Sequence, residues 1–296
     1  MVLFAEPAKV FAAFAKMSIL SWLLILSCSF SNYLLRFARW HYYLRYLKYP
    51  IPLTQNFLYY MAGFALTLTP AKIGETIRST YLAQHAVPYT RSLAVFFAER
   101  FLDVVVIALL SLFVLQFENA SHNYHYFVIA SAVIVVSFIP LLRQTFVTQF
   151  VSTVAKKIPW QAIRALLQHL IHLLTTARAL FAYKPIYSGL VLGSIAWLIQ
   201  GLAFYFILTT LNIDITLQQS IGIYAISLLA GAVSFIPGGI GTTEAVMTLL
   251  LTFLGADTAT AIAAALISRL STLWFAVGLG FGAALVLSFK KQLKLE

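Results

Sequence analysis

The sequence predicts an all-α polytopic membrane protein. It has about five full transmembrane helices plus two re-entrant helical hairpins in an inverted-topology repeat, with a cytoplasmic interfacial amphipathic helix. Three observations carry that prediction. First, the 296 residues are 61% hydrophobic and only 10% charged. A soluble domain carries about a quarter charged residues, and so little polar surface cannot cover a globule in water. Second, the apolar stretches are continuous and do not alternate with polar residues, which argues for helices against a barrel of strands. Third, two pairs of apolar stretches are each interrupted by a Pro/Gly break with a Glu beside it.

Taken in order, residues 1–15 are short and amphipathic and belong at the interface. A first span at about 17–36 ends in Arg36, Arg39, Trp40, His41, Tyr42, Tyr43, Arg45 and Lys48. Tyr and Trp mixed with Arg and Lys mark the headgroup level on the cytoplasmic side. Segments 55–68 and 73–85 fall short of the roughly 20 residues that crossing needs. They flank Thr69-Pro70-Ala71-Lys72-Ile73-Gly74-Glu75, which reads as a re-entrant turn. Full spans follow at about 90–116 and 124–141, separated by an outward loop, Glu118 to His125, without Lys or Arg.

Residues 143–184 mix Arg143, Lys156, Lys157, Arg164, Arg178 and Lys184 with leucines at helical spacing, as expected of a cytoplasmic helix lying on the membrane. A span at about 186–209 leads to the second interrupted pair, 218–236 and 241–254, broken at Pro237-Gly238-Gly239-Ile240-Gly241-Thr242-Thr243-Glu244. A last span at about 258–288 ends at Lys290, Lys291 and Lys294. Basic loops at 36–48, 143–184 and 290–294 go inside. That puts the C-terminus in the cytoplasm and the N-terminus outside, against which Lys9 and Lys16 stand as a tension. The expected location is the cell inner (cytoplasmic) membrane.

Both breaks read P-x-x-I-G with a Glu close behind, and each is followed about 30 residues past its Pro by an Arg within a span, Arg100 and Arg269. The first hairpin enters from the inside and the second from the outside, the pattern of an inverted repeat with a site near mid-membrane. The chain is then a single domain, 1–296. Repeat 1 covers about 17–116, the connecting span and amphipathic segment about 124–184, and repeat 2 about 186–288. Two roles are open for each Glu. Glu244 fits N3 of a helix capped at Gly241, reaching back to its amide, and Glu75 can do the same at the first break; or each handles substrate or protons.

Glu99, Arg100 and Asp103 lie within one turn of the span at 90–116. At 1.5 Å per residue, Glu99 sits roughly 12–15 Å from the inner end of that span, near the middle of a core about 30 Å thick. Each charge at that depth costs at least about 2.5–3.5 kcal/mol unless paired or hydrated. A structural ion-pair knot would offset that cost, and so would a polar path for a charged headgroup or proton. Arg100 and Arg269 are placed to hold a phosphate. Arg78 and Lys72 are weaker candidates, since both can snorkel to the cytoplasmic surface.

The net charge of +11 sits beside apolar spans, so it points to anionic lipid and not to nucleic acid. The single Cys28 allows no intrachain disulfide. The N-terminus lacks the pattern of a cleavable signal peptide. His122/His125 and His169/His172 are spaced for metal, but no carboxylate or Cys completes either set nearby, so no metal is expected. No nucleophile–base arrangement and no nucleotide P-loop is present, and no cofactor is expected.

F-I-P-G-G-I-G-T-T-E-A at 235–245 with S-R at 268–269, L-T-P-A-K-I-G-E-T-I-R-S-T-Y-L at 68–82, A-E-R-F-L-D-V at 98–104 and R-F-A-R-W-H-Y-Y-L at 36–44 resemble the lysylphosphatidylglycerol synthetase transmembrane-region (flippase-like) family. The resemblance covers nearly the whole chain. Family members often carry an additional N-terminal span, and bifunctional members a soluble aminoacyl-transferase domain, of which this sequence shows no counterpart. The resemblance therefore implies a stand-alone protein that is not an enzyme. It implies translocation or binding of an anionic phospholipid or isoprenoid-phosphate lipid, with membrane lipids as partners. The residues it singles out are Glu75, Arg78, Glu99, Arg100, Asp103, Pro237, Gly238, Gly239, Gly241, Glu244 and Arg269. A membrane-embedded transferase or accessory subunit for lipid-linked sugars, and a small-solute or ion transporter, are the alternatives. A homo-oligomer stays open.

Overall fold

Every described residue lies in a helix or in a turn between helices in the computed structural model, which describes residues 7–116, 126, 129–130, 132–134, 136–137, 146–157 and 160–292. The expected outward loop Glu118 to His125 and most of the span at 124–141 lie outside the described residues, as do residues 1–6. Among the described residues, three helical stretches are long and apolar enough to cross a membrane: Ile19–Tyr46, Tyr183–Thr210 and Thr258–Lys290. The protein is all-α and polytopic.

Helix α1 (Pro7–Ala15) lays Val10 and Ala13 against the start of the last span. Helix α2 (Ile19–Tyr46) begins where Ser18 accepts the Ser21 amide at 3.1 Å, and no Gly or Pro interrupts its 28 residues. It therefore runs about ten residues beyond the expected end of the first span. The stretch assigned to the headgroup level is instead the second half of a helix, and it buries Arg36, Arg39, Trp40 and Tyr43. Carboxylates of a facing helix make that burial tolerable, as described below.

Helix α3 (Leu53–Gly63) and a 3₁₀ turn (Phe64–Leu66) form the first arm. At 1.5 Å per residue α3 is about 17 Å long, far short of the core thickness. The chain turns at Thr69, whose hydroxyl donates to the Leu66 carbonyl at 2.9 Å and accepts from the Gly74 amide at 2.6 Å. A 3₁₀ segment (Pro70–Ile77) and the short helix α4 (Arg78–Ala83) follow. Helix α5 (Tyr89–Ser111) is 23 residues long and carries the central charges.

The mixed stretch carries α6 (Phe146–Lys157) and α7 (Gln161–Leu180), and the leucines at helical spacing fall within α7. Helix α7 packs on α5, where Arg91 donates to the Thr176 hydroxyl at 2.7 Å.

Helix α8 (Tyr183–Thr210) is the second long span. Helix α9 (Leu217–Val233) starts at a capping box between Thr216 and Gln219. The second break is a 3₁₀ turn (Pro237–Gly239), followed by α10 (Thr242–Phe253). The last span is divided into α11 (Thr258–Arg269), a π-helical turn (Leu270–Trp274) and α12 (Phe275–Gln292).

Among the described residues, the largest interface joins α2 to α8. There Asn32 donates to the Ala196 carbonyl at 2.7 Å and Gln200 to the Ser29 hydroxyl at 3.2 Å. Gly189 of α8 leaves room for the Tyr43 hydroxyl. Helix α3 packs on α12, α5 packs on α9, and the two breaks touch each other. Outside these contacts Leu20, Leu23, Leu249, Phe253, Phe281 and Leu285 are exposed, an apolar surface that suits lipid and not water.

Gly280 sets the approach of α12 to the first arm. A Cβ there would collide with the Ala65 amide nitrogen and lie 2.6 Å from the Phe64 carbonyl carbon. Backbone atoms cannot swing aside, so Gly280→Ala is expected to destabilise by about 1–3 kcal/mol. Thermal unfolding in micelles reads this, and an unchanged midpoint would contradict the close approach.

Candidate functional site between the two breaks

The second break is closed by a ring of hydrogen bonds. Gly238 and Gly241 have φ of +63° and +87°, values that glycine adopts without steric cost. The Gly241 amide donates to Glu244 Oε2 at 2.6 Å. Glu244 Oε1 accepts from Arg269 Nε at 2.8 Å, and Arg269 Nη2 donates to the Gly238 carbonyl. Glu244 thus caps α10 as its N3 position suggests, and its second oxygen ties the break to the last span.

The first break is built differently. Glu75 does not cap the second arm, because the Thr69 hydroxyl already holds the Gly74 amide. Glu75 accepts instead from the Thr67 hydroxyl at 2.8 Å and from Arg78 Nη2 at 2.6 Å. Arg78 does not snorkel. Its side chain is 0% exposed, with the guanidinium 4.5 Å from the centre of the Trp40 ring and 4.6 Å from that of Tyr60. Aromatic faces and the carboxylates of Glu75 and Glu99 replace water around it.

Between these lies the charged turn of α5. Asp103 Oδ1 accepts from Arg39 Nη2 at 2.6 Å and from the Trp197 indole at 3.2 Å. Its Oδ2 lies 3.1 Å from Arg100 Nη2 and 3.4 Å from Arg36 Nη2. Glu99 is fully buried, with Arg39 Nε at 3.6 Å and Arg78 Nη1 at 3.7 Å. The expected pairing of Arg100 with Asp103 is present. Arg39, placed by the sequence at the membrane surface, is the partner that these two carboxylates share, and Arg36, placed there with it, adds a longer contact to Asp103. Their spacing of three puts both on the buried face of α2; a basic pair with Trp40 one residue on was the signal available for them.

A cavity of about 300 Å³ opens between the breaks. Thr69, Lys72, Arg100 and Asp103 lie on one side, and Gly238, Gly239 and Arg269 on the other. Its walls are apolar, among them Val104, Ile107, Leu228, Phe235 and Leu273. A smaller hollow of about 60 Å³ is lined by Arg36, Thr67, Glu75, Tyr224 and again by Lys72 and Arg269. Of the residues singled out from the sequence, Glu75, Arg100, Asp103, Gly238, Gly239 and Arg269 line these spaces. Arg78, Glu99, Pro237, Gly241 and Glu244 stand behind them and hold the lining in place. Lys72, which the sequence reading set aside as a surface group, lines both.

Residues 1–280 match the family described as the lysylphosphatidylglycerol synthase TM region. The chain is 34% identical over 106 residues to a UPF0104 membrane protein of Pyrococcus horikoshii, covering 36% of this chain and 31% of the relative. It is 24% identical over 95 residues to a UPF0104 membrane protein of Methanothermobacter thermautotrophicus, covering 32% and 28%. It is 40% identical over 73 residues to a phosphatidylglycerol lysyltransferase of Staphylococcus haemolyticus, covering 25% and 9%. The matched segments thus span under a third of the length of each of these curated relatives. The family describes a membrane region, so the matched residues are not the enzyme part of such a protein. With the match extending over nearly the whole chain, this protein belongs to the lysylphosphatidylglycerol synthase transmembrane-region family.

Proposed function

We propose that this protein is a lipid translocator of the bacterial-type inner membrane, handling an anionic phospholipid or an isoprenoid-phosphate lipid. The observation that carries the reading is the cavity at the two breaks, where Lys72, Arg100 and Arg269 share one space with apolar walls. A phosphate on the cations with its acyl chains against the walls satisfies both surfaces. Relatives named phosphatidylglycerol lysyltransferases act on a phospholipid, which supports the lipid assignment. In this reading Arg100 of α5 and Arg269 of the last span bind the phosphate, and Glu75, Glu99, Asp103 and Glu244 fix the cations in place.

The pairing of helices supports an inverted repeat of five full spans and two re-entrant hairpins, with repeats at about 17–116 and 186–288 in one domain. A pseudo-two-fold axis would match α2 with α8 and break with break, and these pairs meet each other. It would also turn the contact of α3 on α12 into that of α9 on α5, and both are present. Such a repeat lets a central site face either side in turn. The basic loops put the C-terminus in the cytoplasm.

Reconstitution tests the function. Vesicles holding the full chain and a fluorescent anionic phospholipid are expected to exchange that lipid between leaflets faster than protein-free vesicles, read by quenching from outside. Folded protein that moves no anionic lipid would remove the proposal. Movement of a small solute with no lipid exchange would favour the solute-transporter alternative.

A further inference from the structure

We infer that the cavity takes a lipid phosphomonoester, a headgroup carrying two negative charges, with Lys72 as its principal contact; this rests on the translocator reading above. Among the described residues, six cationic side chains gather about the two breaks: Arg36, Arg39, Lys72, Arg78, Arg100 and Arg269. Four carboxylates face them: Glu75, Glu99, Asp103 and Glu244. The formal excess is two positive charges, held at membrane depth, where an uncompensated charge is costly. A phosphodiester headgroup with one charge would leave one of them unbalanced. A phosphomonoester, at up to two charges near neutral pH, balances both.

The excess sits at the cavity and not elsewhere in the cluster. Arg39, Arg78 and Arg269 each have a carboxylate oxygen at 2.6 to 2.8 Å. The three others do not. Arg36 and Arg100 share Asp103 Oδ2 with each other, while Arg39 holds Oδ1. Arg36 is 5% exposed, and its Nε and Nη2 make no hydrogen bond although it lines the smaller hollow. Among the described residues, Lys72 has no carboxylate within 4 Å, and it lines both spaces. Its backbone is left-handed, with φ of +57°, at the tip of the first break. A long side chain held in that conformation, at an unpaired position facing a cavity, is strain stored where a ligand is met.

The test uses the purified full chain in detergent micelles. Its probes are dioleoyl phosphatidic acid, dioleoyl phosphatidylglycerol and inorganic phosphate, with affinity read by native mass spectrometry and thermal shift. Phosphatidic acid, the phosphomonoester, is expected to bind about tenfold or more tighter than phosphatidylglycerol, the diester with the same chains. Inorganic phosphate, lacking chains for the apolar walls, is expected to bind far more weakly than either. Lys72→Gln is expected to erase the preference between the two lipids. Lys72→Gly relieves the left-handed strain, so it is expected to keep or raise the unliganded melting temperature while losing the same preference. Equal binding of both lipids overturns the charge inference and leaves the translocator reading intact. No binding of either lipid overturns both. Inorganic phosphate binding as tightly as phosphatidic acid would assign the site to a free anion and overturn the lipid headgroup. A preference that survives in both Lys72 variants removes Lys72 from the site.

Discussion

Arg39→Met is expected to destabilise the protein by about 3–5 kcal/mol, the cost of stranding a buried charge by removing its partner. Arg39 is completely buried, and it is the group that neutralises Asp103 at 2.6 Å while standing 3.6 Å from Glu99. Without it, Glu99 keeps only Arg78 at 3.7 Å, and Asp103 keeps Arg36 and Arg100 on one oxygen alone. Met fills a similar volume, so the loss is electrostatic and not a cavity. Thermal unfolding in micelles reads it. Asp103→Asn in the same background should then cost much less than it does in the wild type, because the two groups act as one unit. Additive losses would show that Arg39 and Asp103 do not depend on each other. A loss below about 1 kcal/mol would mean that the pair is hydrated like a surface salt bridge.

Arg269→Gln is expected to abolish translocation, with a stability loss of about 2–3 kcal/mol as Glu244 and the Gly238 carbonyl each lose a charged donor. Arg269 joins the last span to the second break through both groups and also lines the cavity. Arg269→Lys should rescue poorly, since one ammonium cannot reproduce the two directed bonds of the guanidinium. Glu244→Gln separates the two duties of Arg269. A Gln oxygen still accepts the Gly241 amide, so the cap survives, but Arg269 loses its counter-charge. The expected result is lower thermal stability with unchanged or tighter binding of anionic lipid. If Glu244→Gln removes lipid binding as fully as Arg269→Gln, Arg269 acts through the shape of the turn and not on the headgroup.

The parts of this site that were legible in the sequence are those whose partners lie close along the chain. Gly241 and Glu244 stand at cap spacing, and the cap is there. Arg100 and Asp103 are three apart on a helix, and they pair. The Pro of each break stands first in a 3₁₀ segment that follows the end of the first arm, a position where its missing N–H costs nothing. Arg36 and Arg39 were misplaced because their partners come from 60 or more residues away. A span of ordinary length already ended before them, so the local pattern is that of a headgroup anchor. Only the depth at which α5 presents Glu99 and Asp103 turns two surface arginines into buried ones. Lys72 reads as only a weaker candidate for a related reason: a lysine beside a turn reads as solvated until the other break is seen beside it.

The close fit of Gly189 against Tyr43 has a mechanical result. Sliding α8 along α2 by one residue would present Ser188 or Leu190 to that ring, and Gly193 meets the Arg39 guanidinium one helical turn further along. The two long helices are therefore geared together at fixed register, as an axle. Under the translocator reading, the half-helices hung from their turns are the elements left to rock about that axle.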